Sequence, residues 1–505
     1  MPWQQKGARD LQGCECLGHI RCRSQDTFLV RNTTAWDHGL RVGADGKGIA
    51  GHSGAVLLRR LADRSGLVAA LTRVFPVGGS GWRNRGVVFV HLAISIVLGA
   101  RSVLEAEQLA LHQRHVFGLS ASDSTVRRLL AGLDDTTFAA VARARAAVRQ
   151  IVWTWLALRP GGFPWLTVAG KHLHRWVIVD IDATIITAAS KKEGASATFK
   201  RTFGFHPLAA WCANTQECLA MLLRTGGAGS NTATDHIAVL DEALAQIPHS
   251  SSAKILVRLD GAGATHDLHE HMEKLNTTRR RVRFTTGWKI TAADEAAIAE
   301  LPERAWESSL KQDGDLHDDD HSHVAELTVL NRREGWLGGM RLIVRRVRPS
   351  GRHTDNLTDL EKKTGWKYSI IATNIAKMWG IPGSHQAQWI DALHRHHAVV
   401  EDRVRTNKAM GLRNLPAKSW TGNRSWMLAA NIAADLDAWL RLLAFHDEED
   451  LADAEPQTMR MRIYHQAGRL ARHARVRHLR LDASWPWSTA FALAWNRLTR
   501  LPQAT

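Results

Sequence analysis

An α/β fold built on a mixed five-stranded sheet is predicted by three observations. Apolar, strand-like runs end in aspartate twice, as RWVIVDIDAT to Asp182 and KILVRLD to Asp260. Two further apolar runs, FGFHPLAAWC and ECLAMLLRTGG, follow the first and are joined at ANTQ in the manner of an antiparallel meander. Between them and the next strand, TATDHIAVLDEALAQI sets Ile237, Leu240 and Leu244 on one helical stripe.

The elements follow in order. Residues 1–45 carry little patterning and read as a disordered leader. Cys14, Cys16, Cys22 and His19 fall there, but their spacing lacks the second ligand pair of a zinc site. Residues 46–165 read as a helical domain. GAVLLRRLADRSGLVAALTRVF has helical periodicity, and SASDSTVRRLLAGLD offers Ser124 or Asp123 as N-cap, with Val126, Leu129 and Leu130 on one face. Arg127 and Arg128 lie on the exposed face of its first turn, where a recognition helix would meet DNA.

Residues 170–279 hold the three-strand meander, the helix and the fourth strand, KILVRLD. SIIATNI (369–375) reads as the fifth strand, followed by a long helix from about Ser384, within 366–443. This order is that of a ribonuclease-H-like core. The 141 steps along the chain from Asp260 to Glu401 exceed what one strand and one helix need. RVRFTTGWKI, HVAELTVL and MRLIVRRVRP therefore make 280–365 a β-rich insertion domain. HDDDHSH (317–323) reads as a hydrated loop within it. Residues 444–505 begin with an acidic linker and continue as a basic helix, TMRMRIYHQAGRLARHARVRHLRL.

Bulk properties narrow the function. The 505 residues suggest three or four domains, and 66 Lys and Arg against 49 Asp and Glu give a net charge of +17. Such a balance fits a polyanion, most simply nucleic acid. The longest apolar run, Val87 to Ala100, is short of the ~18 residues of a membrane span. No signal peptide is expected, and five cysteines fit a reducing cytoplasm better than a disulfide scaffold. Twenty tryptophans against two tyrosines read mostly as packing.

The chemistry rests on carboxylates. With ~100° per residue, His394, His397, Glu401, Arg405 and Lys408 fall within about 80° of helical arc, with Leu393, Val400 and Val404 on the adjoining strip. One carboxylate among cations suits an active-site wall, Glu401 for metal and Arg405 and Lys408 for phosphates. Asp180 and Asp182 share a strand face, and Asp182 is preferred because Thr184 completes D-x-T, with Asp180 the runner-up. Asp182, Asp260 and Glu401 together would hold two Mg²⁺ ions, with Mn²⁺ as a substitute.

Here the chain resembles a bacterial insertion-sequence transposase of the DDE class, in the group with a YREK third block, insertion-sequence family 1380. That block, Tyr-x2-Arg-x3-Glu-x6-Lys, reads His394-x2-His397-x3-Glu401-x6-Lys408 in this chain, so both Tyr and Arg are replaced by His. Asp182-Ala183-Thr184, RLDGAG around Asp260, GFHPLAAW (204–211) and ATN (372–374) are similar to the same group. The likeness covers roughly residues 50–500.

The resemblance implies cut-and-paste transposition at the bacterial nucleoid. Such an enzyme binds terminal inverted repeats, pairs two DNA ends as a homodimer, cuts them, and joins them to target DNA, with no membrane partner. Phosphate contacts would fall to His394, His397, Arg405 and Lys408, and base stacking to Trp288, with Trp336 behind it. The alternative is an impaired or domesticated DNA-binding relic, and a stand-alone nuclease is a third reading.

Overall fold

The computed structural model describes residues 46–75, 83–118, 120–188, 191–230, 232–248, 252–317, 320–331, 335–349 and 357–504. The candidate zinc cluster at Cys14, His19, Cys16 and Cys22 lies outside them. Residues 48–505 form one compact unit, where length alone had suggested three or four domains.

The first part is helical: α1 (Ala55–Arg64), α2 (Leu67–Val74), α3 (Arg85–Val97), α4 (Val103–His112), α5 (Asp123–Ala131) and α6 (Asp135–Leu158). Gly66, at φ +77°, breaks the apolar run between α1 and α2. Ser122, rather than Ser124 or Asp123, caps α5 by accepting from the Thr125 amide. The apolar stretch from Val87 becomes α3, buried on most of its circumference. Among the described residues no helix is long and apolar enough to cross a membrane.

A nine-stranded mixed sheet among the described residues forms the second layer. Its strands are β1 (Trp176–Ala183), β2 (Leu208–Cys212), β3 (Cys218–Leu222), β4 (Lys254–Leu259), β5 (Val282–Trp288), β6 (Glu307–Ser308), β7 (Ser322–Glu326), β8 (Arg341–Val347) and β9 (Lys367–Thr373). They run in the order β6-β7-β8-β9-β5-β4-β1-β2-β3. β4 is parallel to β1 and β5 is parallel to β4. The neighbours β1-β2, β2-β3 and β5-β9 are antiparallel. Helix α7 (Ala233–Gln246) connects β3 to β4, and α8 (His266–Leu275) connects β4 to β5.

Two expectations change here. RVRFTTGWKI, read as part of an insertion, supplies β5, the strand next to β4. SIIATNI, read as the fifth strand, supplies β9, which pairs antiparallel on the far side of β5. The strands between Glu307 and Val347 extend this same sheet instead of forming a sheet of their own. Alternation along RVRFTTGW is common to both placements, so periodicity alone could not separate them.

The long helix expected from Ser384 is three pieces: α9 (Ala387–Arg395), a 3₁₀ turn (His396–Val399) and α10 (Val400–Asn407), which runs into a wide π turn at Lys408–Leu412. Gly411 sits there at φ +98°, and its carbonyl accepts from the Trp426 indole. Helix α11 (Trp420–Ala444) follows and is buried along most of its length. The basic tail is helical only in its first part, Pro456–Tyr464, and its remainder is not a helix. It is a hairpin, β10 (Gly468–His473) and β11 (Val476–Leu481), followed by α12 (Ser488–Arg500).

One core cluster joins the helices to the sheet, running from Leu57 through Val179 and Trp211 to Leu440. A buried polar network crosses it. Arg149 on α6 donates to Glu217 at 2.6 Å and to Asp435 at 2.9 Å, and Arg145 reaches Asp435 at 2.8 Å. The indoles of Trp153 and Trp439 donate to Glu217. These charges are held by geometry, because each has a paired opposite and extra donors. We expect Arg149→Met to lower unfolding stability by about 3–5 kcal/mol, since it leaves a buried charge uncompensated. Urea denaturation checks this, and a loss under ~1 kcal/mol would contradict the account.

Candidate active site

The parallel pairing of β4 with β1 sets Leu259 beside Ile181 and Arg258 beside Asp180. Asp260, one residue past the end of β4, therefore stands level with Asp182. Its Oδ1 accepts from the Ala262 amide at 2.9 Å, which caps the 3₁₀ turn Gly261–Gly263. Gly287 on β5 flanks this turn. A Cβ there would come within 2.6 Å of the Gly261 nitrogen and 3.1 Å of the Asp260 carbonyl carbon. Glycine lets the Asp260 turn lie against β5.

Helix α10 brings Glu401 to the same end of the sheet. Buried Val400 packs beneath it, and the Trp211 indole on β2 donates to Asn407 at 2.7 Å. The carboxylates of Asp260 and Glu401 both act on Asp182. Burial first, then the like charge of Asp260 and Glu401, push the Asp182 carboxyl up to about 6, against a backbone donation from Ala183 and the opposing pull of His397. Among the described residues no hydrogen bond or ion pair engages the Glu401 carboxylate.

The structure gives Asp180, the runner-up, a different job. It is 2% exposed, and Arg258 grips it with two donors, Nε to Oδ1 at 2.7 Å and Nη2 to Oδ2 at 2.9 Å. His397 Nδ1 lies 3.1 Å from the same carboxylate. Burial opposes its charge, but Arg258 and His397 outweigh that and hold Asp180 well below the usual carboxylate range. With both oxygens engaged, Asp180 is not free to bind metal.

Two histidine expectations are corrected with it. His397 is 8% exposed and faces Asp180 instead of solvent, so it does not offer a phosphate contact. His394 lies against Thr285, its Nδ1 at 3.1 Å from the hydroxyl, and burial, reinforced by the charges of His397 and Arg258, pushes it down to about 3. A neutral, enclosed imidazole has no charge for a phosphate. His394 lies in α9 and His397 in the 3₁₀ turn after it, and both face the sheet instead of forming an open stripe with Glu401.

Lys408 and Arg405 do meet a cavity, of about 360 Å³, which Arg101, Arg413 and Arg460 also line. Burial, then the charges of Lys200 and Arg413, push the Lys408 ammonium down, while Asp182 acts in the other direction. Lys408 thus lies within electrostatic reach of the carboxylates. Exposed Arg405 is paired with Asp402 and, at 3.0 Å, with Glu455. Arg127 is also exposed and paired with Asp123 at 3.1 Å. Arg128 lines a cavity with Arg83 and Arg85.

Trp288, the expected stacking residue, is 8% exposed at the end of β5, with Trp336 packed edge-on at 4.5 Å between ring centres. It has no free face for a base. Trp336 is half-buried and covers His266 at 3.7 Å. Arg258 is the functional residue that sequence reasoning missed. Its signal was present: an arginine inside KILVRL and an aspartate inside WVIVDI must find each other if both strands are buried.

Among the described residues no group of three His, Cys, Asp or Glu side chains could hold a metal ion as placed. The donor set is nonetheless all hard carboxylate oxygen at one sheet end, the chemistry that Mg²⁺ or Mn²⁺ takes. Asp182 carries a further consequence. Its folded pKa, near 6, lies above the ordinary 3.8, so the protonated form favours folding. That stability is present at low pH and lost as pH rises through about 6. In chelator, Asp182→Asn should therefore raise the melting temperature relative to wild type at pH 7–8, with the gain vanishing near pH ~4. Thermal scans across pH check this, and an Asn variant less stable at pH 7 than at pH 4, relative to wild type, would contradict the assigned electrostatics.

The chain matches the family model described as transposase DDE domain group 1 over residues 33–503. No curated protein matches it. Among solved structures it is similar to the cryo-EM structure of a piggyBac transposase synaptic complex with hairpin DNA, at 11% identity and TM-score 0.38, over 81% of this chain and 78% of that one. The chain belongs to the transposase DDE domain group 1 family and is a DDE-type DNA transposase.

Proposed function

We propose that the protein is a cut-and-paste transposase of the insertion-sequence family 1380 type, with Asp182, Asp260 and Glu401 as its catalytic carboxylates. The observation that carries this is the register of β4 against β1, which sets Asp260 level with Asp182, with Glu401 close enough for both carboxylates to act on Asp182. Three carboxylates from distant stretches share one end of the sheet, although their repulsion is unfavourable without a cation. The strand order β3-β2-β1-β4-β5, with α7 before β4, supports a ribonuclease-H-like core.

Two Mg²⁺ ions, or Mn²⁺, held by these three residues would lower the pKa of an attacking water or 3′-hydroxyl and neutralise the leaving oxygen. The chain's own groups do the rest. The Arg258 and Asp180 pair ties β4 to β1, and Arg258 also holds α9 through the Leu393 carbonyl. Lys408, with Arg101 and Arg413 in the adjoining cavity, supplies positive charge for the phosphates of the strand being cut. Arg127 and Arg128 would grip DNA flanking the ends. Binding of inverted repeats and pairing of two ends by a homodimer complete the reading. A DNA-binding relic would keep the grip and lack the cutting.

The test is nicking and linearisation of a plasmid that carries the element's ends. We expect activity with Mg²⁺ and none in chelator. Asp182→Ala, Asp260→Ala and Glu401→Ala should each lower the rate by at least about 10²–10³-fold, the scale of a lost transition-state stabiliser. Wild-type DNA binding without any metal-dependent cutting would leave the relic.

A further inference from the structure

The hairpin β10-β11 lies outside everything assigned above. It runs from Gly468 to Leu481 and carries five arginines, two histidines and no acidic residue. Its register is unusual. Arg469 pairs with Arg480, and Arg472 pairs with Arg477, so arginines stand opposite one another twice. Like charges at directly opposed positions destabilise a sheet. A hairpin that keeps two such pairs, with no carboxylate between them, is built for an anion supplied from outside.

The ribbon is held at its base. Gly468 and Arg469 pair with Ala50 and Ile49, and Leu479 and Leu481 pack on the main core. Arg477 donates to the His115 carbonyl at 2.7 Å. Beyond this base every arginine and both histidines of the hairpin are exposed. The turn spans two residues, Ala474 and Arg475, at φ +47° and +66°. This type of turn matches the twist of two strands and is normally made by Asn or Gly. Here it sets an arginine at the tip at a conformational cost, and strain of this kind collects at functional sites.

We propose that β10-β11 is a DNA-binding ribbon that enters the major groove of duplex DNA, with Arg469 and Arg480 on flanking phosphates. A two-stranded ribbon fits the major groove in width, and its charge matches the backbone that lines it. An anionic lipid surface would share the charge attraction. The hairpin has little apolar surface to insert, with Val476 its exposed large hydrophobic residue, so DNA is the better match. The proposal rests on the transposase reading for its partner but is independent of the carboxylate site.

The test uses the full chain and a fluorescent random-sequence duplex, titrated in chelator at several salt concentrations. Arg469→Gln with Arg480→Gln should reduce the slope of log affinity against log salt by about two, the value for two lost phosphate contacts. A charge-matched control, Lys362→Gln with Lys363→Gln, should leave the slope unchanged. Melting temperatures must match wild type, and if the first pair fails to fold, Arg480→Gln alone should lower the slope by about one. Dimethyl sulfate protection of guanine N7 by wild type, lost in the pair, reports the major groove. An unchanged slope, a loss equal to the control's, or N7 protection that survives in the variant overturns the ribbon. So does binding to phosphatidylserine-containing phosphatidylcholine vesicles that depends on these arginines while duplex binding does not. Because chelator blocks cutting, a failed ribbon and a failed catalytic site give different results: the first alters binding alone, the second plasmid cleavage alone.

Discussion

The bidentate pair between Arg258 and Asp180 is the contact on which the geometry of the candidate site depends. It spans β4 and β1 at the position where their parallel register aligns the two residues. The remaining nitrogen of Arg258 donates to the Leu393 carbonyl at 3.1 Å and stands 3.1 Å from His396 Nδ1, so the same guanidinium also holds the C-terminal end of α9. His397 closes the arrangement by reaching Asp180. One buried charge pair thus fixes two strands and the helix that leads to Glu401. Burying it is costly in itself, and it is tolerated because nearly every donor and acceptor is engaged. Its return is specificity: the strands cannot slip by a residue without stranding a charge in the core.

That anchoring explains how like charges come together at the sheet end. Asp182 lies two residues beyond Asp180 on the same strand face, Asp260 two beyond Arg258, and Glu401 four beyond His397. Each catalytic candidate thus follows a member of the buried cluster at short range. The scaffold sets the carboxylates near one another against their repulsion, and the Asp182 carboxyl is raised first by its burial and then by its two neighbours. Proteins of ordinary stability carry such strain at functional sites and offset it elsewhere. The Arg149, Glu217 and Asp435 network, with two indoles on one carboxylate, is where this chain ties its helical layer to the sheet.

Much of this was legible in the sequence, and the failures have physical reasons. Asp182 and Asp260 stood out because charged residues at the ends of apolar strands have few structural uses. Glu401 and Lys408 stood out by spacing. The roles of His394 and His397 did not, because a helical projection assumes one continuous helix and cannot show that His394 in α9 faces Thr285 or that His397, in the 3₁₀ turn His396–Val399, faces Asp180. β5 and β9 exchanged expected roles because both are apolar alternating runs, and pairing partners are set by distant chain. The hairpin at 468–481 was read as helix because Ala474-Arg475 lacks the Asn or Gly that usually marks a two-residue turn. For β5 and β9 the strands themselves were visible and only their partners across the fold stayed hidden, whereas at the hairpin the element type was hidden too.

The sheet's continuation bears on the chemistry. Had the segment between Asp260 and Glu401 formed a separate body, its movement could change the spacing between the carboxylates. Instead β5 lies directly against β4, and β9 and β8 continue from it in one hydrogen-bonded surface. Gly287 on β5 lies close against the Asp260 turn, so that turn is braced by β5. Asn374, just past β9, donates to the Val282 carbonyl and to Glu273 on α8, and its side-chain oxygen accepts from the Phe284 amide. β5 therefore acts as a buttress for the second carboxylate, and the strands beyond it extend the same sheet. It lies on the side of β4 opposite β1, so Asp260 is held between two paired strands instead of at an edge.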